Sequence, residues 1–298
     1  MSDEHGQAGP LGNVGRGLMD FYSAYAVARR SERPIEILGT HQRRGNGDMS
    51  KGPKRIAWVT GGGTGIGLAG AEALAASGWT VVISGRRLEV LKDAAKSIVA
   101  TGREVECLPV DVSDAKSVNQ VATSILEKHG QIDLLVNCAG LNLPKRSWAD
   151  MNLEGWDQIV DINLNGLLYC MRSVLPAMRA QKDGSIINVA SWAGRMVSKM
   201  TGPAYTATKH AVVALTHSFN MDEFQNGLRA CCLSPAEVAT PIMRMRPVPP
   251  SEEEMAKMLQ TEDLGKTIAF VANMPKHVCV NEILISPKWN RIFVGSIQ

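Results

Sequence analysis

Tyr205 and Lys209 stand four residues apart in Ala204-Tyr205-Thr206-Ala207-Thr208-Lys209-His210-Ala211, so a helix through this run projects both side chains from one face. Together they can move a proton. A free tyrosine titrates near pH 10, about three units above neutrality; a neighbouring ammonium narrows that gap of about 4 kcal/mol by favouring the phenolate. A Tyr-x-x-x-Lys pair also arises by chance on exposed helices, so its surroundings must carry the reading. Ser191 follows the apolar run Ile186-Ile187-Asn188-Val189-Ala190, where a strand would end on a hydroxyl. Asn163 lies in Val160-Asp161-Ile162-Asn163-Leu164-Asn165-Gly166, inside a long helical stretch.

The elements that must bring these residues together are organised around 54–77. Lys54-Arg55-Ile56-Ala57-Trp58-Val59-Thr60 reads as a short buried strand, Gly61-Gly62-Gly63-Thr64-Gly65-Ile66-Gly67 as a turn, and 68–76 as an alanine- and leucine-rich helix. Glycine lets the backbone approach a pyrophosphate closely, and the amides and dipole of a helix start attract its charge. A G-x-G-x-x-G match at 65–70 is out of register, five residues past the strand. The turn that directly follows the strand is T-G-x-x-x-G-x-G, from Thr60 to Gly67.

From residue 54 onward strands and helices alternate. Strands are expected at 55–60, 80–84, 104–110, 134–137, 185–190, 229–233 and 278–285, and helices at 66–77, 88–100, 114–129, 153–181, 204–225 and 261–273. This pattern predicts an α/β fold, a doubly wound Rossmann-type domain with a seven-stranded parallel sheet and helices on both faces. Its ligand would lie across the carboxyl ends of the strands. Residues 1–50 are glycine-rich with scattered arginines and read as a flexible extension, with one amphipathic helix at 18–30 and a second start of translation at Met49; 51–298 form the single catalytic domain. The one low-complexity tract within it is 247–254.

The glycine turn resembles the signature of the short-chain dehydrogenase/reductase family, and Asn163, Ser191, Tyr205 and Lys209 match that family's Asn-Ser-Tyr-Lys tetrad. The resemblance spans about 54–289 and extends to two further segments. Asn137-Cys138-Ala139-Gly140 is similar to the family's N-N-A-G, with cysteine at its second position, and Ser234-Pro235-Ala236-Glu237-Val238-Ala239-Thr240-Pro241 is similar to its P-G-x-V-x-T, with Ala236 for glycine. Ser191 and Tyr205 are 14 apart, one more than is usual in the family, which leaves Ser198 as the fallback hydroxyl. The resemblance implies hydride transfer between a nicotinamide dinucleotide and a small-molecule ketone or secondary alcohol. Tyr205 would be the general acid/base. Lys209 would support it and hold the nicotinamide ribose, Ser191 would hydrogen-bond the substrate oxygen, and Asn163 would position a proton-relay water.

Thr60, Gly61, Gly63, Thr64, Gly65, Ile66 and Gly67 would cradle the dinucleotide phosphates. After the second strand, Ser84-Gly85-Arg86-Arg87 offers no acid for the adenosine ribose hydroxyls, the next one, Glu89, falling in the following helix. Arg86, with Arg87 beside it, would grip a 2′-phosphate instead, favouring NADP, with NAD the second choice. In the family Asp111 and Val112 meet the adenine; Asp111 could equally serve the turn before Asp114, a good helix N-cap. Ala139 and Gly140 would line the cofactor, Asn137 would brace the sheet beneath it, and Pro235, Val238 and Thr240 would cover the nicotinamide side.

Composition narrows the partners. A net charge of +3 argues against nucleic acid, and no apolar run approaches the ~20 residues that span a bilayer. The acidic start at Met1-Ser2-Asp3-Glu4 does not resemble an export signal, so a cytoplasmic protein is expected. The six cysteines lack C-x-x-C spacing and read as reduced core residues, with no metal site. Family resemblance implies a homodimer or homotetramer. Specificity should come from 141–148, 192–202 and 241–250, which carry Trp148, Trp192, Met196, Met200, Met243 and Met245, with Arg195, Lys199, Arg244 and Arg246 available for a carboxylate. The tail at 281–291 is similar to that of relatives acting on 3-hydroxy acids and small alcohols. The leading expectation is therefore an NADP-preferring oxidoreductase. An NAD-dependent alcohol dehydrogenase of the same family and a non-catalytic dinucleotide-binding regulator are the alternatives.

Overall fold

Every residue from Ile56 to Thr60 is buried, as a strand covered on both faces requires. The period-two alternation divides them: Ile56 and Trp58 enter one apolar cluster, Ala57 and Val59 the other. The computed structural model describes residues 54–291. In it, β1 (Ile56–Thr60) is joined by β2 (Thr80–Gly85), β3 (Val105–Pro109), β4 (Leu134–Asn137), β5 (Gly184–Val189), β6 (Leu228–Pro235) and β7 (Glu282–Ile285). All pairings are parallel, in the order β3-β2-β1-β4-β5-β6-β7. The expected doubly wound seven-stranded sheet is present. Its order reverses between β1 and β4, which opens a crevice at the carboxyl ends of these strands.

Helices cover both faces. On one lie α1 (Gly65–Ala76), α2 (Leu88–Val99) and, near the end of the chain, Thr261–Ala272; Leu74, Leu91, Ile98, Leu264 and Ile268 fill the interface with the sheet. The other face carries α3 (Ala115–His129), α4 (Leu153–Val160), α5 (Gly166–Gln181) and α6 (Pro203–Glu223), packed through Ile125, Val174, Met178 and Val212.

Three elements depart from expectation. The long helix expected at 153–181 is interrupted by a π-helical turn at Asp161–Asn165, which separates α4 from α5. The tract at 247–254 contains a short helix, α7 (Glu252–Ala256), closed by a capping box between Ser251 and Glu254; it precedes α8 (Thr261–Ala272). The last strand, expected from 278, begins at Glu282, because the Val278 amide turns back to the Pro275 carbonyl at 2.9 Å. The readings made for 1–50 lie outside the described residues. Cys170, Cys231 and Cys232 are buried and Cys279 is exposed; all six cysteines are free thiols. No helix among the described residues is long and apolar enough to cross a membrane.

Candidate active site

The chain leaves β1 through a turn only glycine can make. Gly61 has φ 66°, and a Cβ on it would lie 2.8 Å from the Ala139 nitrogen and 2.9 Å from the Cys138 carbonyl carbon. Buried Thr60 secures that close approach: its Oγ1 accepts from the amides of Cys138 (3.2 Å) and Ala139 (3.3 Å). Thr64 precedes α1 without a side-chain cap, and the first turn of α1 holds no acidic residue. Its amides are thus left for an external anion.

A cavity of about 230 Å³ extends from this turn across the strand ends, bringing together Gly61, Thr64, Gly65, Ile66, Ala139, Gly140, Ser191, Tyr205, Lys209, Pro235, Val238 and Thr240. The sequence places these residues in five separate segments. Gly67 packs beneath the turn against the Gly61 carbonyl, and Gly63 packs on Val90. Cys138, Ala236, Pro241 and Met243, the last expected among the specificity residues, complete the wall together with Val189, Ala190 and Ile242, which had not been singled out. Ala236, which replaces the family's glycine, does not require a left-handed backbone: Lys182 is the one non-glycine residue with positive φ among those described. Its amide instead bonds to the Ile285 carbonyl at 2.8 Å, continuing the pairing of β6 with β7.

Ser191 stands at the end of β5 and caps a 3₁₀ turn at Trp192–Gly194, its Oγ accepting from the Ala193 amide at 3.1 Å. That bond occupies a lone pair and leaves the hydroxyl proton for another acceptor. Ser198, the fallback, instead accepts from the Met200 amide at 3.2 Å. Lys209 is 5 % exposed; its Nζ donates to the Val189 carbonyl at 2.8 Å and lies 5.5 Å from the Tyr205 ring centre. No carboxylate forms a salt bridge with Lys209 among the described residues. Burial pushes the adjacent Cys138 thiol up to about 12 against the pull of the Lys209 charge, which keeps this cysteine a neutral wall residue. Asn163 lies within the π turn, with its side chain paired to both backbone groups of Leu141.

A second recess continues past Gly61 and Gly140 to Arg86, Asp111 and Val112. Arg86 is exposed and forms no salt bridge among the described residues, while Arg87 precedes α2 as its N-cap residue. Asp111 Oδ1 accepts from the Ser113 amide (3.0 Å) and hydroxyl (2.6 Å), so the turn occupies one oxygen of a residue that also lines the recess. Asn137 is turned into the sheet, where Nδ2 donates to Asn188 Oδ1 at 2.9 Å, and Asn188 bonds in turn to Thr216. It braces β4 against β5. These features fit a dinucleotide. Its phosphates would find uncapped amides, and bare Gly140 lies beside Asn163 and Lys209, where a Cβ would make ordinary contact with Asn163 Oδ1 at 3.4 Å and Lys209 Nζ at 3.9 Å.

On the far side of Tyr205 lies a cavity of about 120 Å³, walled by Ser191, Trp192, Met196, Met200, Ile242 and Met243 with Asn142, Arg146, Glu237 and Arg246. Trp148, expected in this wall, is 82 % exposed. Arg195 is drawn away to an ion pair with Glu282, and Lys199 and Arg244 are exposed. Arg246 does reach the cavity, paired with Glu237 at 2.5 Å. Arg146, which the sequence reading passed over, lies buried in the same wall.

The sheet order, the glycine turn and the clustered Ser191, Tyr205 and Lys209 define a dinucleotide-fold enzyme class, and comparison with known proteins agrees. The short chain dehydrogenase family model matches residues 55–248; the chain belongs to that family and is an oxidoreductase. An uncharacterized oxidoreductase of Staphylococcus saprophyticus subsp. saprophyticus is 36% identical over 234 residues, covering 78% of this chain and 97% of the relative. Glycine betaine reductase ATRR of Emericella nidulans is 32% identical over 282 residues, which are 92% of this chain and 22% of that protein. Among solved structures, an alcohol dehydrogenase from the archaeon Thermococcus sibiricus, complexed with 5-hydroxy-NADP, superposes with a TM-score of 0.72 at 27% identity, covering 80% of this chain and 98% of that one.

Proposed function

We propose that this chain interconverts a small secondary alcohol, hydroxy acids included, and its ketone, with NADP as the preferred cofactor and Tyr205 as general acid/base. The observation that carries this reading is the single cavity shared by Ser191, Tyr205, Lys209 and the glycine turn. Thr64, Gly65 and Ile66 would hold the phosphates, Arg86 the 2′-phosphate, Asp111 and Val112 the adenine end, and Pro235, Val238 and Thr240 the nicotinamide side. The archaeal neighbour's NADP analogue and the exposed Arg86 both support NADP over NAD. When bound, the cofactor's nicotinamide supplies or accepts the hydride.

The protein's own task is the proton. In the reduction direction the Tyr205 hydroxyl protonates the oxygen of the substrate as negative charge develops on it. Ser191, with its oxygen already held by the Ala193 amide, donates a second hydrogen bond to the same oxygen. Lys209 keeps a buried positive charge beside the phenol, favouring the phenolate once the proton has left. Asn163 steadies the loop at Leu141 through its two hydrogen bonds and would position a water that relays protons to Lys209. The family's habit of pairing through long helices makes a homo-oligomer the expected assembly.

The test is turnover of a panel of ketones and alcohols with NADPH, NADP, NADH and NAD, followed at the nicotinamide absorbance band. In Tyr205→Phe, kcat should fall by about 10²–10⁴-fold while NADPH binding is retained. Unchanged turnover in that variant would overturn the assignment.

A further inference from the structure

Arg146 is 8 % exposed, yet no acidic side chain reaches it. Its Nε donates to the Leu143 carbonyl at 2.6 Å, Nη2 to Met245 at 2.8 Å and Nη1 to Met200 at 3.4 Å, and it forms no salt bridge among the described residues. A guanidinium has five N–H donors; three of them reach these carbonyls, leaving two. Buried arginine is ordinarily paired, because taking a bare cation out of water is expensive. The neighbouring arginines obey that rule. Arg246 and Arg291 share Glu237, and Arg291 also meets Glu254 at 2.7 Å. Three arginines thus face two glutamates, and the uncompensated positive charge is Arg146.

That charge is held in place. The Asn142 amide group donates to the Thr201 carbonyl at 3.0 Å, and a Cβ on Gly202 would strike the Arg146 carbonyl oxygen at 2.3 Å, so the two loops meet with no slack behind the guanidinium. Its wall of the 120 Å³ cavity is shared with Tyr205 and Ser191; the rest joins apolar Trp192, Met196, Met200, Ile242 and Met243 to polar Asn142, Ser198 and Thr201 and to the Glu237–Arg246 pair, whose charges offset each other.

We propose that this cavity is an anion pocket: the substrate carries a carboxylate that the buried Arg146 guanidinium holds, while its reacting carbon lies at Tyr205 and Ser191. The assignment rests on the oxidoreductase reading and narrows its substrate to short keto and hydroxy acids. One uncompensated charge matches a monoanion. A phosphate monoester, with about −1.5 to −2 charge, would leave the pocket negative. Arg146 is on this account a substrate-binding residue. A mere strut tying three loops together would not need to be charged.

The experiment compares acids with their neutral esters: acetoacetate against methyl acetoacetate and levulinate against methyl levulinate, each with NADPH. In the unaltered protein the acid of at least one pair should exceed its ester in kcat/KM by about tenfold or more, as a charge-assisted hydrogen bond worth about 1.5–3 kcal/mol predicts. In Arg146→Met the acid-to-ester ratio should collapse toward one, chiefly through KM, and in Arg146→Lys it should be partly kept. Esters reduced as well as or better than acids would overturn the pocket while leaving the reductase reading intact. An equal fall of acid and ester in Arg146→Met would also overturn it, by showing a strut. If no ketone is reduced, calorimetry with levulinate decides: binding that Arg146→Met abolishes sustains the pocket and sinks the reductase, and absence of binding sinks the pocket.

Discussion

Asn163 and Leu141 are joined by a reciprocal pair of hydrogen bonds, the Leu141 amide donating to Asn163 Oδ1 at 2.8 Å and Asn163 Nδ2 donating to the Leu141 carbonyl at 2.9 Å. The π turn at Asp161–Asn165 aims this side chain across the helix toward the loop that leaves β4. Replacing Asn163 by alanine strands a donor and an acceptor, each worth about 1–3 kcal/mol if left unmet. The Asn163→Ala protein should therefore melt several degrees lower, at about 2–4 °C per kcal/mol for a domain of this size. Its KM for NADPH should rise as Gly140 loses its brace. A melting temperature within one degree of the parent would refute the bracing role.

Arg86 is the residue expected to contribute most to distinguishing the two dinucleotides, since it lines the recess beyond Gly61 and forms no ion pair among the described residues. A charge-assisted contact to a 2′-phosphate is worth about 1.5–3 kcal/mol, so Arg86→Ala should raise KM for NADPH by roughly 10–100-fold. KM for NADH should change by less than about threefold. Steady-state kinetics with both cofactors reads the difference directly, and parallel changes would remove Arg86 from the site.

Glu237 ties Arg246, in the wall of the second cavity, to Arg291. Burial works to raise its carboxyl, but the Arg291 and Arg246 guanidiniums together outweigh burial and hold it below the usual carboxylate range. A lowered folded value means that the network stabilises the protein above the unfolded glutamate's pKa of about 4.3 and loses that contribution as pH falls through the lower folded value. Melting temperature should be nearly level from pH 7 to about 5 and drop below about 4. In Glu237→Gln the protein should be less stable at pH 7, with a smaller further loss on acidification. Melting curves of the two proteins that run parallel from pH 7 to pH 3 would contradict this.

The sheet was legible because its strands are continuous apolar runs bounded by turn residues, and β1 shows why: both faces are covered, so nothing interrupts Ile56 to Val59. Tyr205, Lys209, Ser191 and the glycine turn were legible through spacing and position after a strand. The wall of the second cavity was legible in part: Trp192, Met196, Met200, Met243 and Arg246 line it as expected, but its other charged residues gave no local signal. Arg146 follows Pro144-Lys145 and reads as solvated, whereas carbonyls at 143, 200 and 245, from three different loops, determine its burial. Arg195 reads as an available cation for the same reason; its partner Glu282 is 87 residues away. Nothing in 161–165 announces a π turn, since the apolar periodicity runs straight through it. Side chains whose partners are distant in sequence had no local signal to give.

Gly61 offers the sharpest test of how the turn serves the site. A side chain there would meet the backbone of Cys138 and Ala139 at 2.8–2.9 Å, groups that cannot move without tearing β1 from β4. The left-handed backbone at φ 66° adds about 1–2 kcal/mol of strain for any residue with a Cβ. Gly61→Ala should therefore lower stability by more than that strain alone, about 2–4 kcal/mol with the contact included. It should also weaken NADPH binding, because the turn must shift toward the groove that the phosphates would occupy. Gly78→Ala is the control: its φ of 84° is equally left-handed, but a Cβ there meets nothing within 4 Å. Chemical denaturation and NADPH titration of the two variants separate strain from contact. Gly78→Ala should show the strain alone and bind NADPH as the parent does, and equal losses in both variants would mean that the close approach to Ala139 plays no part.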